Sequence, residues 1–198
     1  MEGFRLLASP WWVNLGYLVP LASYVLWRSY PISISLRKLL YAGIFGAAFG
    51  INEAVVVVYL RVATGLLPEF EEQLIGATPS LGVYEQIQLL NAMPATILST
   101  EIMREAATLV ILVSLAFAIC SRLWERWAIF LWMFAFWDIF YYVGLWLITR
   151  WPPSFLTWDI LFLIPVLWVA QVWFPLLVSL LSIGAVAISS QMFSEQKR

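Results

Sequence analysis

The chain has 198 residues, of which 63% are hydrophobic and 12% charged, with a net charge of -1. A soluble domain carries about 25% charged residues and no more than roughly half apolar ones, so this inventory cannot build a water-facing surface, and the lack of a basic run speaks against nucleic acid as a partner. Histidine is absent and Cys120 is the single cysteine. Those two facts remove His-ligated haem, an HExxH zinc site, a Ser-His-Asp triad, an internal disulfide and a CxxC redox pair.

The apolar residues fall in long blocks, the mark of membrane spans. The N-terminal MEGFRLLASP is too short and too weakly basic for a signal peptide. Ser9-Pro10 reads as a helix start, with serine capping and proline in the first turn. A first span is expected over 11–27, with Trp11, Trp12 and Trp27 as interfacial anchors and a kink at Pro20. After a polar loop from Arg28 to Lys38, a second span is expected over 39–60. Its Gly46 and Gly50, preceded by Gly43, form a small-residue face for close helix packing, and Glu53 lies on nearly the same side.

Residues 61–93 make the longest polar stretch, with Glu69, Glu71, Glu72 and Glu85, and Val83 to Asn91 reads as a short surface helix. The apolar run from Ala106 to Cys120 has only 15 residues, whereas crossing needs about 20. The third span, placed over 98–120, must therefore reach back through Glu105, Arg104 and Glu101 toward Pro94. The turn Ser121 to Arg126 leads to the fourth span, over 127–149, with Asp138 at its centre, and Arg150-Trp-Pro-Pro-Ser is a break. The apolar stretch from Ile160 to Ile188 exceeds 40 Å at about 1.5 Å per residue and is interrupted by Pro165 and Pro175. It reads as a short half-helix over 160–170, a polar seam at Gln171, and a fifth span over 172–190. The expectation is a single all-α integral membrane domain, a bundle of five transmembrane helices with the last one kinked or preceded by that half-helix.

Basic residues orient the bundle. With an outside N-terminus, inside segments hold Arg28, Arg37, Lys38, Arg122, Arg126, Lys197 and Arg198, and outside segments hold Arg5, Arg61, Arg104 and Arg150. The bias favours N-terminus outside and C-terminus cytoplasmic. In that frame Glu53, Glu101, Arg104, Glu105, Asp138 and Asp159 all fall in the outer half, with Tyr142 one turn after Asp138. A charge at the bilayer centre costs about 2.5–3.5 kcal/mol on insertion scales, so such groups turn toward protein, a partner or water.

These residues are the candidate polar pocket. Each also has a purely structural reading: a solvated helix end for Glu101, Arg104 and Glu105, and packing carboxyls for Glu53 and Asp138. Glu53 has Arg61 two turns away, and Asp138 has Tyr141 and Tyr142 within a turn. The triplet Trp137-Asp138-Ile139 recurs as Trp158-Asp159-Ile160 without a longer repeat around it.

Three function classes fit. The first is an outward-facing acidic pocket that binds or conducts a cation, a proton or a small polar or lipid-like ligand. The second is an accessory subunit of a larger membrane complex, and the third an intramembrane acid catalyst acting on a hydrophobic substrate. The expected surroundings are the lipid bilayer, with partner membrane subunits or further copies of the chain. No motif calls for a cofactor or a metal.

Overall fold

The computed structural model describes residues 4–63 and 94–195, with side chains through 61 and from 94 to 190. The expected surface helix over 83–91 and the four glutamates around it lie outside the described residues. A 3-10 helix over Trp11–Tyr17 runs into α1 (Leu18–Ser29). Then come α2 (Leu36–Ala63), α3 (Ala95–Ile119), α4 (Leu123–Thr149), a hairpin of β1 (Trp158–Phe162) and β2 (Trp168–Gln171), and α5 (Trp173–Glu195). Among the described residues, α2, α3, α4 and α5 are long and apolar enough to cross a membrane.

Two N-terminal expectations are corrected. The first apolar segment is not one α-helix: α1 has 12 residues, about 18 Å at 1.5 Å per residue, and the turn before it is 3-10. Ser9 does not cap that helix, since its N–H and carbonyl exchange 2.8 Å bonds with Val169 on β2. The capping work falls to Asn14, which accepts from the Ala8 amide at 2.9 Å and donates to the carbonyls of Ala8 and Trp11. The third span does start at Pro94, which forms the N-cap of α3.

The half-helix expected over 160–170 is replaced by strands. Trp158 pairs with Gln171, Asp159 with Ala170, Ile160 with Val169 and Phe162 with Trp168, antiparallel, with an irregularity between Ile160 and Phe162. Prolines sort accordingly. Pro165 sits between the strands, and Pro175 lies in the first turn of α5, where a helix has amides to spare. Gln171 is the seam its polarity suggested: buried, it accepts from the Arg5 amide at 2.9 Å and from the Trp173 indole at 3.0 Å.

Helix α4 is the axis of the bundle, packing against α2, α3 and α5. Its contact with α2 is set by glycine. A methyl group added at Gly46 would stand 2.5 Å from the Met133 carbonyl and 2.9 Å from the Phe136 Cβ. One added at Gly50 would strike the Trp137 carbonyl and lie 2.8 Å from the Tyr141 nitrogen. Gly144 answers from α4, with the Ala54 side chain 2.8 Å from where its Cβ would be. Backbones this close leave no room for a larger residue. Trp132, from α4, ties the other end of the contact by donating its indole N–H to the Leu39 carbonyl at 2.8 Å.

Gly50→Leu is expected to destabilise the folded protein by about 3 kcal/mol or more, because backbone rather than a flexible side chain blocks the added atoms. Gly184→Ala, where nothing lies within 4 Å of the added methyl, is expected to leave stability unchanged or raise it by up to about 1 kcal/mol, since alanine is the better helix former. Thermal unfolding of the two variants in detergent checks the pair, and equal melting would contradict this packing.

Candidate functional site

The polar residues form a layer at one end of the bundle. At about 1.5 Å per residue, Glu53 lies roughly 15 Å from the Ala63 end of α2, and Arg104 and Glu105 about 14–15 Å from the Ala95 end of α3. By the same measure Asp138 and Tyr142 lie about 16 and 10 Å from the Thr149 end of α4, and Ser179 about 9 Å from the Trp173 end of α5. These helix ends share one side of the bundle, here termed the acidic end.

Arg104 is the hub of the first group. Its Nη1 pairs with Glu53 Oε1, and its Nε and Nη2 donate to Glu101 Oε2 at 2.9 and 2.8 Å. The Arg104 and Glu101 spacing on α3 puts both on one face, and Glu53 arrives from α2 on the side set by the glycines. All three glutamates of the layer are buried. Glu53 and Arg61, two turns apart on α2 and not expected in direct contact, do not pair: Glu53 is taken by Arg104. Arg61 instead lies over the Trp151 ring, 4.4 Å from its centroid.

Glu105 does something sequence spacing did not suggest. Its carboxylate accepts the Leu163 N–H, at 2.9 Å to Oε2 and 3.2 Å to Oε1, and the Ile164 amide adds to it. Those amides sit in the turn that follows β1. The strand runs back along α4, with Asp159 at Tyr142 and Phe162 stacked on Phe134 at 6.3 Å and tilted against Trp137 at 6.0 Å. Trp137 is about 18 Å from the end of α4 by helical rise. The turn therefore carries unpaired amides to mid-bundle depth, and Glu105 satisfies them.

The second group lies between α4, α5 and β1. Ser179 donates to Asp138 Oδ2 at 2.8 Å, and Tyr142 donates to Asp159 Oδ2 at 2.8 Å. The tyrosine expected to serve Asp138 thus serves Asp159, while a serine from α5 serves Asp138. That serine was invisible at sequence level, because one hydroxyl in an apolar helix is commonplace. Asp138 and Asp159, from the two Trp-Asp-Ile triplets, lie within electrostatic reach of each other. Tyr141 joins the two groups, being within reach of Arg61, Arg104, Asp138 and Asp159.

Asp159 belongs to β1, outside the spanning helices. Burial pushes its carboxyl up from the usual 3.8 to about 6, offset in part by Arg61, the Tyr142 hydroxyl and the Ile160 amide. Among the described residues no three carboxylate or thiol side chains converge as metal ligands. Every carboxylate of the layer already faces an internal donor. The chain matches no family model, no curated protein and no solved structure.

The raised value at Asp159 has a consequence for stability. An acid whose folded value lies above its unfolded one favours the folded state when protonated. Its contribution is complete below about pH 4 and is lost as pH rises through about 6. Asp159→Asn is expected to flatten stability between those limits. Unfolding midpoints measured across that range for both proteins check it, and equal slopes would remove Asp159 as the source.

Proposed function

We propose that this chain is an integral membrane protein whose acidic layer takes up a small cationic species, and that the species is a proton exchanged at Asp138. Charge balance supports the reading. Among the described residues five carboxyl groups, Glu53, Glu101, Glu105, Asp138 and Asp159, share the layer with two guanidinium groups, Arg61 and Arg104. An excess of negative charge at membrane depth calls for compensation. A proton answers that need better than a metal ion, since the carboxylate oxygens already accept hydrogen bonds rather than converge on a common centre. The observation that carries the choice of residue is the partner of Asp138, a neutral serine hydroxyl. Glu53 and Glu101 face Arg104, and Asp159 has Arg61 in range.

Topology enters the same reading. The 3-10 helix and α1 together rise about 32 Å, enough for a fifth crossing, and the acidic end faces outward with the N-terminus. The glycine face that an accessory subunit would have offered to a partner is filled by α4 of the same chain, which favours the site reading over the accessory one. The aromatic surroundings of a catalyst are present, yet no reacting group is placed by them.

Two measurements address this. Difference infrared spectra of the reconstituted Asp159→Asn protein, which lacks the other titrating aspartate, through a pH step should show the carbonyl band of a protonated carboxylic acid, and adding Asp138→Asn should remove that band while the protein still folds. A band that survives the added substitution, or none before it, would place the exchanging proton elsewhere or nowhere. For orientation, Ser154→Cys at the acidic end should react with an impermeant thiol reagent from outside in a Cys120→Ser background, and Ser121→Cys only from inside; the reverse pattern inverts the topology.

A further inference from the structure

The opposite end of the bundle is built differently. Arg28 closes α1, Arg37 and Lys38 stand in the first turn of α2, Arg122 caps α4, and Arg126 lies in its first turn. Contacts draw these segments into one surface. Tyr30 stacks on Trp124 at 4.9 Å, and the Ser33 amide donates to Glu125 at 3.3 Å. Lys38 Nζ donates to the Ile119 carbonyl at 2.8 Å, and Arg126 Nε to the Cys120 carbonyl at 2.8 Å.

Lys38 and Arg126 are therefore occupied with the C-terminus of α3, where cations complement the helix dipole and its last carbonyls. Arg28, Arg37 and Arg122 are exposed. Among the described side chains Glu125 is the acid of this surface, and it accepts from the Ser33 amide. Next in sequence to two of the exposed arginines stand exposed apolar side chains, Leu36 at 81% beside Arg37 and Leu123 at 64% beside Arg122. The acidic end holds its arginines more closely: Arg61 and the exposed Arg150 each lie over a tryptophan ring at 4.4 Å, against 5.7 Å for Arg37 over the Tyr41 ring, and Arg104 is held by two glutamates.

We propose that this basic end is a docking surface for the headgroups of anionic phospholipids, with Arg28, Arg37 and Arg122 meeting the phosphates and Leu36 and Leu123 meeting the acyl chains. Charge complementarity carries the choice of occupant. A phosphate diester needs cations that the fold has not already spent, and an adjoining apolar side chain distinguishes a lipid from a free anion. The inference is independent of the acidic layer and stands or falls separately from it.

The test uses the full chain in mixed micelles holding equal amounts of phosphatidylglycerol and phosphatidylcholine, with bound lipid counted by native mass spectrometry. The parent protein should retain the anionic lipid over the zwitterionic one by about a hundredfold, and the preference should fall roughly fivefold in each of Arg28→Gln, Arg37→Gln and Arg122→Gln and be lost in the triple variant that combines them, at about 1 kcal/mol per basic residue. Arg150→Gln, at the other end, should leave it unchanged. Should the triple variant fail to fold, titration of inorganic phosphate against the parent still decides: lipid that stays bound supports the proposal, and lipid displaced by phosphate reassigns the surface to free anions. Equal retention of both lipids by the parent, or an unchanged preference in a folded triple variant, overturns it.

Discussion

Backbone amides cannot be left without acceptors inside a bilayer, because no water is there to take them and each one costs several kcal/mol. Helices meet this demand internally. The segment between α4 and α5 does not form a helix, and it runs back along α4 as far as Phe134. Its survival depends on three acceptor sets: the ladder between β1 and β2, the exchange of bonds between Ser9 and Val169, and the Glu105 carboxylate at the turn. Glu105 thereby turns a charge that α3 could hardly afford into the anchor of an otherwise unsatisfied turn. The N-terminal segment owes its shape to the same requirement, since Ser9 is used as a strand partner and Asn14 then folds the chain into the 3-10 turn.

Close packing and charge placement are linked through α2. Because Gly46 and Gly50 bring its backbone against α4, the residue one turn beyond them is held at a fixed angle, and Glu53 points to α3 rather than to lipid. Arg104 then closes an ion triad across two helices. Removing the guanidinium would leave two buried carboxylates facing each other, a larger loss than removing either carboxylate, since breaking a buried pair strands the survivor. Helix contact and ion pairing are in this sense one arrangement, with the glycines deciding where the arginine must be.

Four of the five expected spans were legible in the sequence because length and apolarity are one-dimensional. The third span had to reach back through Glu101 toward Pro94 on length alone, and the helix begins at Ala95, three residues before the expected 98. The glycine face was legible for a similar reason, since a four-residue spacing fixes one side of a helix. Which charged groups meet was not legible. Spacing gives depth along a helix, not the azimuth of its neighbours, so Glu53 could be grouped by depth with Arg104, 51 positions away in sequence, while the pairing itself needed the structure. The hairpin failed for another reason. Ile160 to Ala170 is a short apolar run between prolines and a tryptophan, and over that length a buried strand and a buried half-helix share one composition. Its weight of tryptophan, valine, isoleucine and phenylalanine was the available signal for strand.

That strand makes the difference between two unrelated aspartates and a coupled pair. As a half-helix, residues 160–170 would rise about 1.5 Å per residue; as a strand they rise about 3.3 Å, so Asp159 stays high at Tyr142 while Phe162 already reaches Trp137. Asp159 enters from outside the helices and Asp138 from within one, yet the return of the chain brings them within electrostatic reach. Each is held by a hydroxyl that can both donate and accept, Ser179 for one and Tyr142 for the other. A carboxylate paired with arginine is fixed in its ionised form, whereas one held by a hydroxyl keeps its hydrogen bond in either state by turning the hydroxyl round. The layer is therefore divided by chemistry as well as by position: on one side Glu53 and Glu101 face the Arg104 guanidinium, and on the other Asp138 and Asp159 face hydroxyls.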